Sequence, residues 1–142
     1  MNDLPAVVAA AIAWIWLGMV LAISFLEAPL KFQAPGVDLR VGLAIGRLVF
    51  KALNTVEALL ATALVALLLA VAPGPTTGAA GAVAVLTLVA QLVGVRPRLA
   101  RRSDAVLAGE DGPRSRAHVA YVALELLKVA ALIVLGLALA TA

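Results

Sequence analysis

Residues 47–95 read RLVFKALNTVEALLATALVALLLAVAPGPTTGAAGAVAVLTLVAQLVGV, and the fold turns on this stretch. Two apolar runs, about 47–72 and 79–95, flank the segment Pro73-Gly74-Pro75-Thr76-Thr77-Gly78. A helix needs about 20 apolar residues to cross a hydrocarbon core, so the first run is ample and the second short but adequate. Proline and glycine at this density mark a turn. Neither run alternates as a barrel strand does, and an open sheet leaves its backbone unsatisfied in lipid. Together they predict a transmembrane helical hairpin.

Working outward, two more apolar runs complete the chain. One covers about 5–26, with Pro5 well placed in a first helical turn, and the other runs from about 117 to 140. The expected fold is therefore all-α, a polytopic membrane protein with four transmembrane helices in one bundle, forming a single domain over residues 1–142. Composition agrees. Of 142 residues 64% are apolar and 13% charged, and the mean hydropathy is +1.10. A soluble domain of this size has too much surface to hide so much apolar area, and disorder requires the opposite composition.

The basic residues order the spans. Lys31, Arg40, Arg47 and Lys51 lie in or beside the loop 27–46, and Arg96, Arg98, Arg101, Arg102, Arg114 and Arg116 lie in the loop 96–116. The N-terminal tail, the turn at 73–78 and the C-terminal tail carry no Lys or Arg. By the positive-inside rule both basic loops are cytoplasmic and both termini face outward. Position thus explains the pI near 10, and no nucleic-acid partner is expected. The N-terminus lacks the basic region of a cleavable signal. The expected location is a cell membrane, of the bacterial inner-membrane kind.

The loops carry smaller signals. From Asp38 the chain is able to continue helically into the second span, with Arg40, Arg47, Lys51 and Asn54 on one face. A helix from Leu39 to Ala72 is about 50 Å long, so an amphipathic extension or a kinked interfacial segment is expected. Gly42 and Gly46 form a G-x-x-x-G that lets helices approach closely. Pro29 is expected to end or kink the first span. In the second basic loop Arg96, Arg98, Arg101 and Arg102 are candidates for anionic lipid headgroups, and the tip Gly109-Glu110-Asp111-Gly112-Pro113 reads as a turn.

Ionisable groups inside a span are expensive, about 2.5–3.5 kcal/mol each on insertion scales. The second span contains Asn54 and Glu57, and the fourth contains His118, Tyr121, Glu125 and Lys128 on one helical stripe. Gln91 stands in the third span, and Ser24 and Glu27 end the first. Counted from the cytoplasmic side, Glu57 and Lys128 lie about 15 and 16 Å deep, which permits a cross-helix pair. Glu125 is then left to His118, Tyr121 or Asn54. Asn54, Glu57, His118, Tyr121, Glu125 and Lys128 are the candidate ligand- or ion-binding residues.

Two readings stay open. In one, this set lines a cytoplasm-facing cavity that binds or translocates an ion, a proton or a small polar solute. In the other, it is structural glue in an accessory or assembly subunit of a membrane complex. The outer halves, 58–72 and 129–140, are almost wholly aliphatic, which argues against a pore through one chain. A homo-oligomer or a membrane-protein partner is therefore expected. Trp14 and Trp16, too deep for an interfacial belt and two positions apart, are assigned to packing.

Other chemistries find little footing. Without cysteine there is no disulfide, thiolate metal site or cysteine nucleophile, and one histidine cannot build a two-histidine site within one chain. Phosphate-loop, zinc-protease, nucleophile-elbow and dinucleotide motifs are missing from the sequence. No enzyme, cofactor or metal is expected.

Trp16-Leu17-Gly18, Glu27-Ala28-Pro29-Leu30-Lys31-Phe32 and Ile45-Gly46-Arg47-Leu48-Val49-Phe50 carry a resemblance. Together they resemble an uncharacterised bacterial family of four-span integral membrane proteins with an A-P-x-x-F signature after the first span. They are more distantly similar to a eukaryotic four-span transmembrane family. The likeness covers about residues 14–57 and implies a helical membrane bundle, with no site residues to transfer.

Overall fold

The computed structural model describes residues 3–109 and 116–141. Four long helices fill them: α1 (Leu4–Gln33), α2 (Leu39–Val71), α3 (Pro75–Leu107) and α4 (Arg116–Ala140). All four are long and apolar enough to cross a membrane. The result is an all-α bundle consistent with a polytopic membrane fold. α1 and α4 pack side by side at its centre, with α2 against α1 and α3 against α4. The connection 72–74 shares one end of the bundle with both chain ends. The other end is rich in arginine and lysine and is called here the basic end.

Local chemistry sets each boundary. Pro5 sits in the first turn of α1. α1 and α2 are joined through Ala34-Pro35-Gly36-Val37, where the Val37 N–H donates to the Ala34 carbonyl at 3.1 Å. Proline and then a glycine at φ +81° suit the two central positions of a type II turn. The Asp38 carboxylate caps α2 by accepting from the Val41 N–H at 2.9 Å. Ala72 closes α2 in the left-handed region at φ 50°, and its N–H donates to Leu68 O at 3.1 Å. Pro75 then opens α3.

The helices outrun the expected spans at four places. The turn expected over 73–78 is shorter, because Pro75 needs no N–H partner in a first turn and so starts the next helix. Pro29 does not end α1. Residues 21–27 widen into a π-helical segment, and the Ala28 N–H donates to Ile23 O, five residues back. This slack lets the chain pass a residue that has no N–H and return to helix.

Pro97 is passed in the same way. Residues 91–95 are π-helical, the Arg96 N–H donates to Gln91 O, and residues 96–107, expected in a loop, continue α3. Residues 39–46, within the loop bounds 27–46 but read as able to continue helically from Asp38, are the unbroken start of α2, an extension rather than a kinked segment. The expected turn tip falls largely at 110–113, outside the described residues, as does Arg114.

Small residues set the spacing. A Cβ on Gly136 would come 2.6 Å from the Trp14 ring, and one on Gly81 would come 2.7 Å from the Leu68 side chain. The G-x-x-x-G of α2 works within the chain, since Gly42 faces the Phe32 ring and Gly46 the Lys31 ammonium. Toward the terminal end the core is aliphatic, built from Ala9, Ala13, Leu64, Leu68, Ala84, Leu88, Leu132 and Leu135.

Candidate functional site

Midway along the bundle the aliphatic core gives way to a polar network reached by all four helices. Lys128 of α4 is its hub. Its ammonium lies 2.5 Å from Glu57 Oε2 of α2, 2.6 Å from Glu125 Oε1 one turn back on α4, and 2.8 Å from Gln91 Oε1 of α3. α1 adds two donors. The Trp16 indole N–H reaches Glu57 Oε2 at 2.7 Å, and the Ser24 hydroxyl reaches Glu125 Oε2 at 2.7 Å. The Gln91 amide N–H₂ donates to Glu125 Oε1 at 3.2 Å and to the Tyr121 carbonyl at 3.4 Å.

Burial makes these contacts consequential. Lys128, Glu57, Glu125 and Gln91 are each at most 1% exposed, and Trp16 is fully buried. An unpaired charge in such a place costs several kcal/mol, and a paired one is tolerated only when its remaining hydrogen-bonding capacity is met. Lys128 satisfies this condition with three acceptors on three side chains. Two carboxylates nevertheless share one ammonium, and Glu57 Oε1 is buried with no hydrogen-bond donor among the described residues. Both oxygens of Glu125 are occupied.

A cavity of about 1360 Å³ opens from the basic end down to this network. α2 lines it along one stripe from Leu39 to Leu59, six turns and about 30 Å of helix. Glu125, Ser24 and Tyr121 meet it at the network, and Asn54 and His118 lie on its wall. Glu57, Gln91 and Lys128 lie behind that wall and do not line it. At the basic end α2 and α3 are joined across it by Arg47 with Asp104 at 2.6 Å and by Arg40 Nη2 donating to Leu107 O at 2.8 Å. The second contact also satisfies a carbonyl at the end of α3.

The charged residues of the walls are mostly basic. Lys31, Arg47, Lys51, Arg96 and Arg102 are basic, and Glu125 is the acidic member. Arg47 is answered by Asp104, and Lys31 lies 3.8 Å from Glu27. Arg96 is held differently. Its guanidinium stands 5.0 Å from the Phe50 ring centroid and 5.5 Å from that of Tyr121, while Phe50 and Tyr121 meet edge to face. Among the described residues neither Arg96 nor Lys51 has a carboxylate within ion-pair distance.

The expected residues thus separate. The Glu57–Lys128 pair forms as equal depth suggested. Glu125 does not turn to His118 or Asn54 but to Lys128, Gln91 and Ser24, because α1 and α3 present their own polar groups at that level. His118 is exposed and Asn54 half-buried, both on the cavity wall. Of the four arginines read as headgroup ligands, Arg98 and Arg101 are exposed, whereas Arg96 and Arg102 are half-buried and line the cavity.

Trp16, Ser24 and Gln91 were not among the candidates. Gln91 and Ser24 are isolated polar residues in long apolar runs, and that isolation was the available signal. Trp16, assigned to packing, packs and also donates. No known protein family, curated protein or solved structure matches this chain.

Proposed function

We propose that this chain is a multi-pass membrane-embedded binding protein, which takes a small anionic solute into the cavity at its cytoplasmic, basic end. The observation carrying this reading is the charge on the cavity wall. Glu125, which would attract a cation, is already neutralised by Lys128 and hydrogen-bonded by Ser24 and Gln91. Arg96 and Lys51 have no anionic partner among the described residues. A guanidinium held between two aromatic rings is pre-organised for carboxylate or phosphate oxygens.

Binding is favoured over translocation. Beyond Trp16, Glu57 and Lys128 the buried residues toward the terminal end are apolar but for Thr77 and Thr87, the latter donating to its own helix at Val83 O, so a charged solute meets no charged partner there. The positive-inside pattern supports a bacterial inner-membrane orientation with both termini outside. The reading of the network as glue between helices is supported by the full pairing of Lys128. It leaves Arg96 and Lys51 without a role, and the same experiment separates the two.

Equilibrium dialysis of the purified protein in neutral detergent tests the proposal, with butyl phosphate, butanol and butyltrimethylammonium as probes. Butyl phosphate is expected to bind and the other two not. Loss of a charge-assisted contact in an Arg96→Gln, Lys51→Gln variant is expected to weaken it roughly tenfold or more. Preference for the ammonium probe, or binding indifferent to that variant, overturns the reading.

A further inference from the structure

The cavity is too large and too apolar for a small anion alone. Its volume of about 1360 Å³ exceeds the roughly 300–1,000 Å³ of ordinary small-molecule sites. Arg96 and Lys51, with no carboxylate within ion-pair distance among the described residues, stand toward the basic end. Two turns beyond Lys51 on α2 the lining becomes Ala58 and Leu59, with Leu92 of α3 beside the network, while Phe25 of α1 and Val122 of α4, next in sequence to Ser24 and Tyr121, line it nearer the level of Arg96. That deeper part contains one charged group, Glu125, which the network neutralises.

The apolar walls are also open sideways. Leu59 is 67% exposed, and Phe25 and Val122 are each 37% exposed, although all three line the cavity. These apolar side chains face the surroundings of the bundle, where a membrane places hydrocarbon. The cavity thus joins a cationic, aromatic-braced head site to an apolar slot that opens laterally.

We propose that the occupant is an anionic amphiphile, its phosphate or carboxylate head on Arg96 and Lys51 and its alkyl tail in the slot bounded by Phe25, Ala58, Leu59 and Val122. This deepens the anion-binding reading above and rests on it. Charge complementarity selects the head, and the apolar lining from Lys51 down to Leu59, about 12 Å of α2, selects a tail. Arg98 and Arg101, exposed and off the cavity wall, take no part.

The test places the full chain in nanodiscs of neutral phosphatidylcholine. A small fraction of dodecyl phosphate carries a photoreactive group near the end of its chain, and labelled residues are mapped by mass spectrometry. Labelling is expected to concentrate at Ala58 and Leu59. It is expected to fall by roughly tenfold when Arg96 and Lys51 are both changed to Gln, since each head contact is charge-assisted. An Arg98→Gln, Arg101→Gln variant is expected to label as the parent does.

Ala58→Trp, at a lipid-facing position that tolerates bulk, is expected to block the slot and abolish tail labelling while butyl phosphate still binds. Labels spread evenly over outward positions such as Leu48, Leu69 and Leu137 overturn the proposal, as does equal loss in the Arg98, Arg101 variant. If butyl phosphate binds through Arg96 while dodecyl phosphate labels only the outer surface, the tail inference falls alone. If neither probe depends on Arg96, the anion reading falls with it.

Discussion

The Lys128 ammonium stands 2.5 Å from the Glu57 carboxylate, with both side chains fully buried at the middle of the bundle. Glu125 lies 2.6 Å from the same ammonium, so removing different members of this trio has unequal effects. Lys128→Met leaves two buried carboxylates facing each other and is expected to destabilise the fold by about 3–5 kcal/mol. Glu57→Gln leaves one carboxylate for one ammonium and keeps an acceptor for Trp16, but sets a buried amide N–H₂ where the oxygen without a donor stood. It is expected to cost about 1–3 kcal/mol, less than Lys128→Met. Thermal unfolding of the two variants in the same detergent checks the asymmetry, and equal losses would refute it.

Trp16 contributes a hydrogen bond as well as volume. Trp16→Phe keeps most of the ring and deletes the indole N–H, and is expected to cost about 1.5–3 kcal/mol because the acceptor is charged. In a Glu57→Gln background the cost should shrink, and a double-mutant cycle measures the difference.

The two tryptophans give a spectroscopic check on packing. Trp14 is 40% exposed on the outside of the bundle and Trp16 is fully buried. Brominated lipid is expected to quench the fluorescence of a Trp16→Phe protein strongly and that of a Trp14→Phe protein weakly. The reverse order would place the wrong face of α1 inward.

Gly136 sets how closely α4 approaches α1, since a methyl there meets the Trp14 ring. Gly136→Ala is expected to cost about 1–3 kcal/mol by overpacking. Trp14→Ala in the same chain should recover much of that loss in a thermal melt, because the clash lies on that ring. Gly18→Ala, with nothing within 4 Å of its added methyl, is the matched control and should be close to neutral.

The Arg47–Asp104 pair belongs to another class. Its side chains are 46% and 61% exposed, so Arg47→Ala is expected to change stability by less than about 1 kcal/mol, and less still in high salt. A melt as damaged as that of Lys128→Met would show that the basic-end contact holds the bundle together.

Much of the architecture was readable in advance because lipid leaves few options. Charge-free runs of sufficient length become helices, and a shared count of 1.5 Å per residue was enough to match Glu57 with Lys128. The continuations of α1 past Pro29 and of α3 past Pro97 were not readable. Pro29 and Pro97 look like breaks, and only the wider π-helical turn before each lets the helix continue. The partners of Glu125 were missed for a related reason. Ser24 and Gln91 descend from the opposite end, and each lies in or beside a π segment, so a uniform helical rise misplaces them. Arg96 was read by its charge, whereas its position between Phe50 and Tyr121 depends on α3 continuing past Pro97.

The aliphatic half of the core has an electrical meaning. In a membrane, a cavity open to the basic side carries that side's potential inward as far as Glu125. The voltage across the bilayer then falls mainly over the dry layer formed by Ala13, Leu64, Leu88, Leu132 and their neighbours. A charge does work on the membrane potential only when it crosses part of that drop, about 2.3 kcal/mol for a full crossing at 100 mV. An anion moving between solution and Arg96 crosses almost none of it. On the proposed reading, occupancy of this site would follow concentration and ignore voltage.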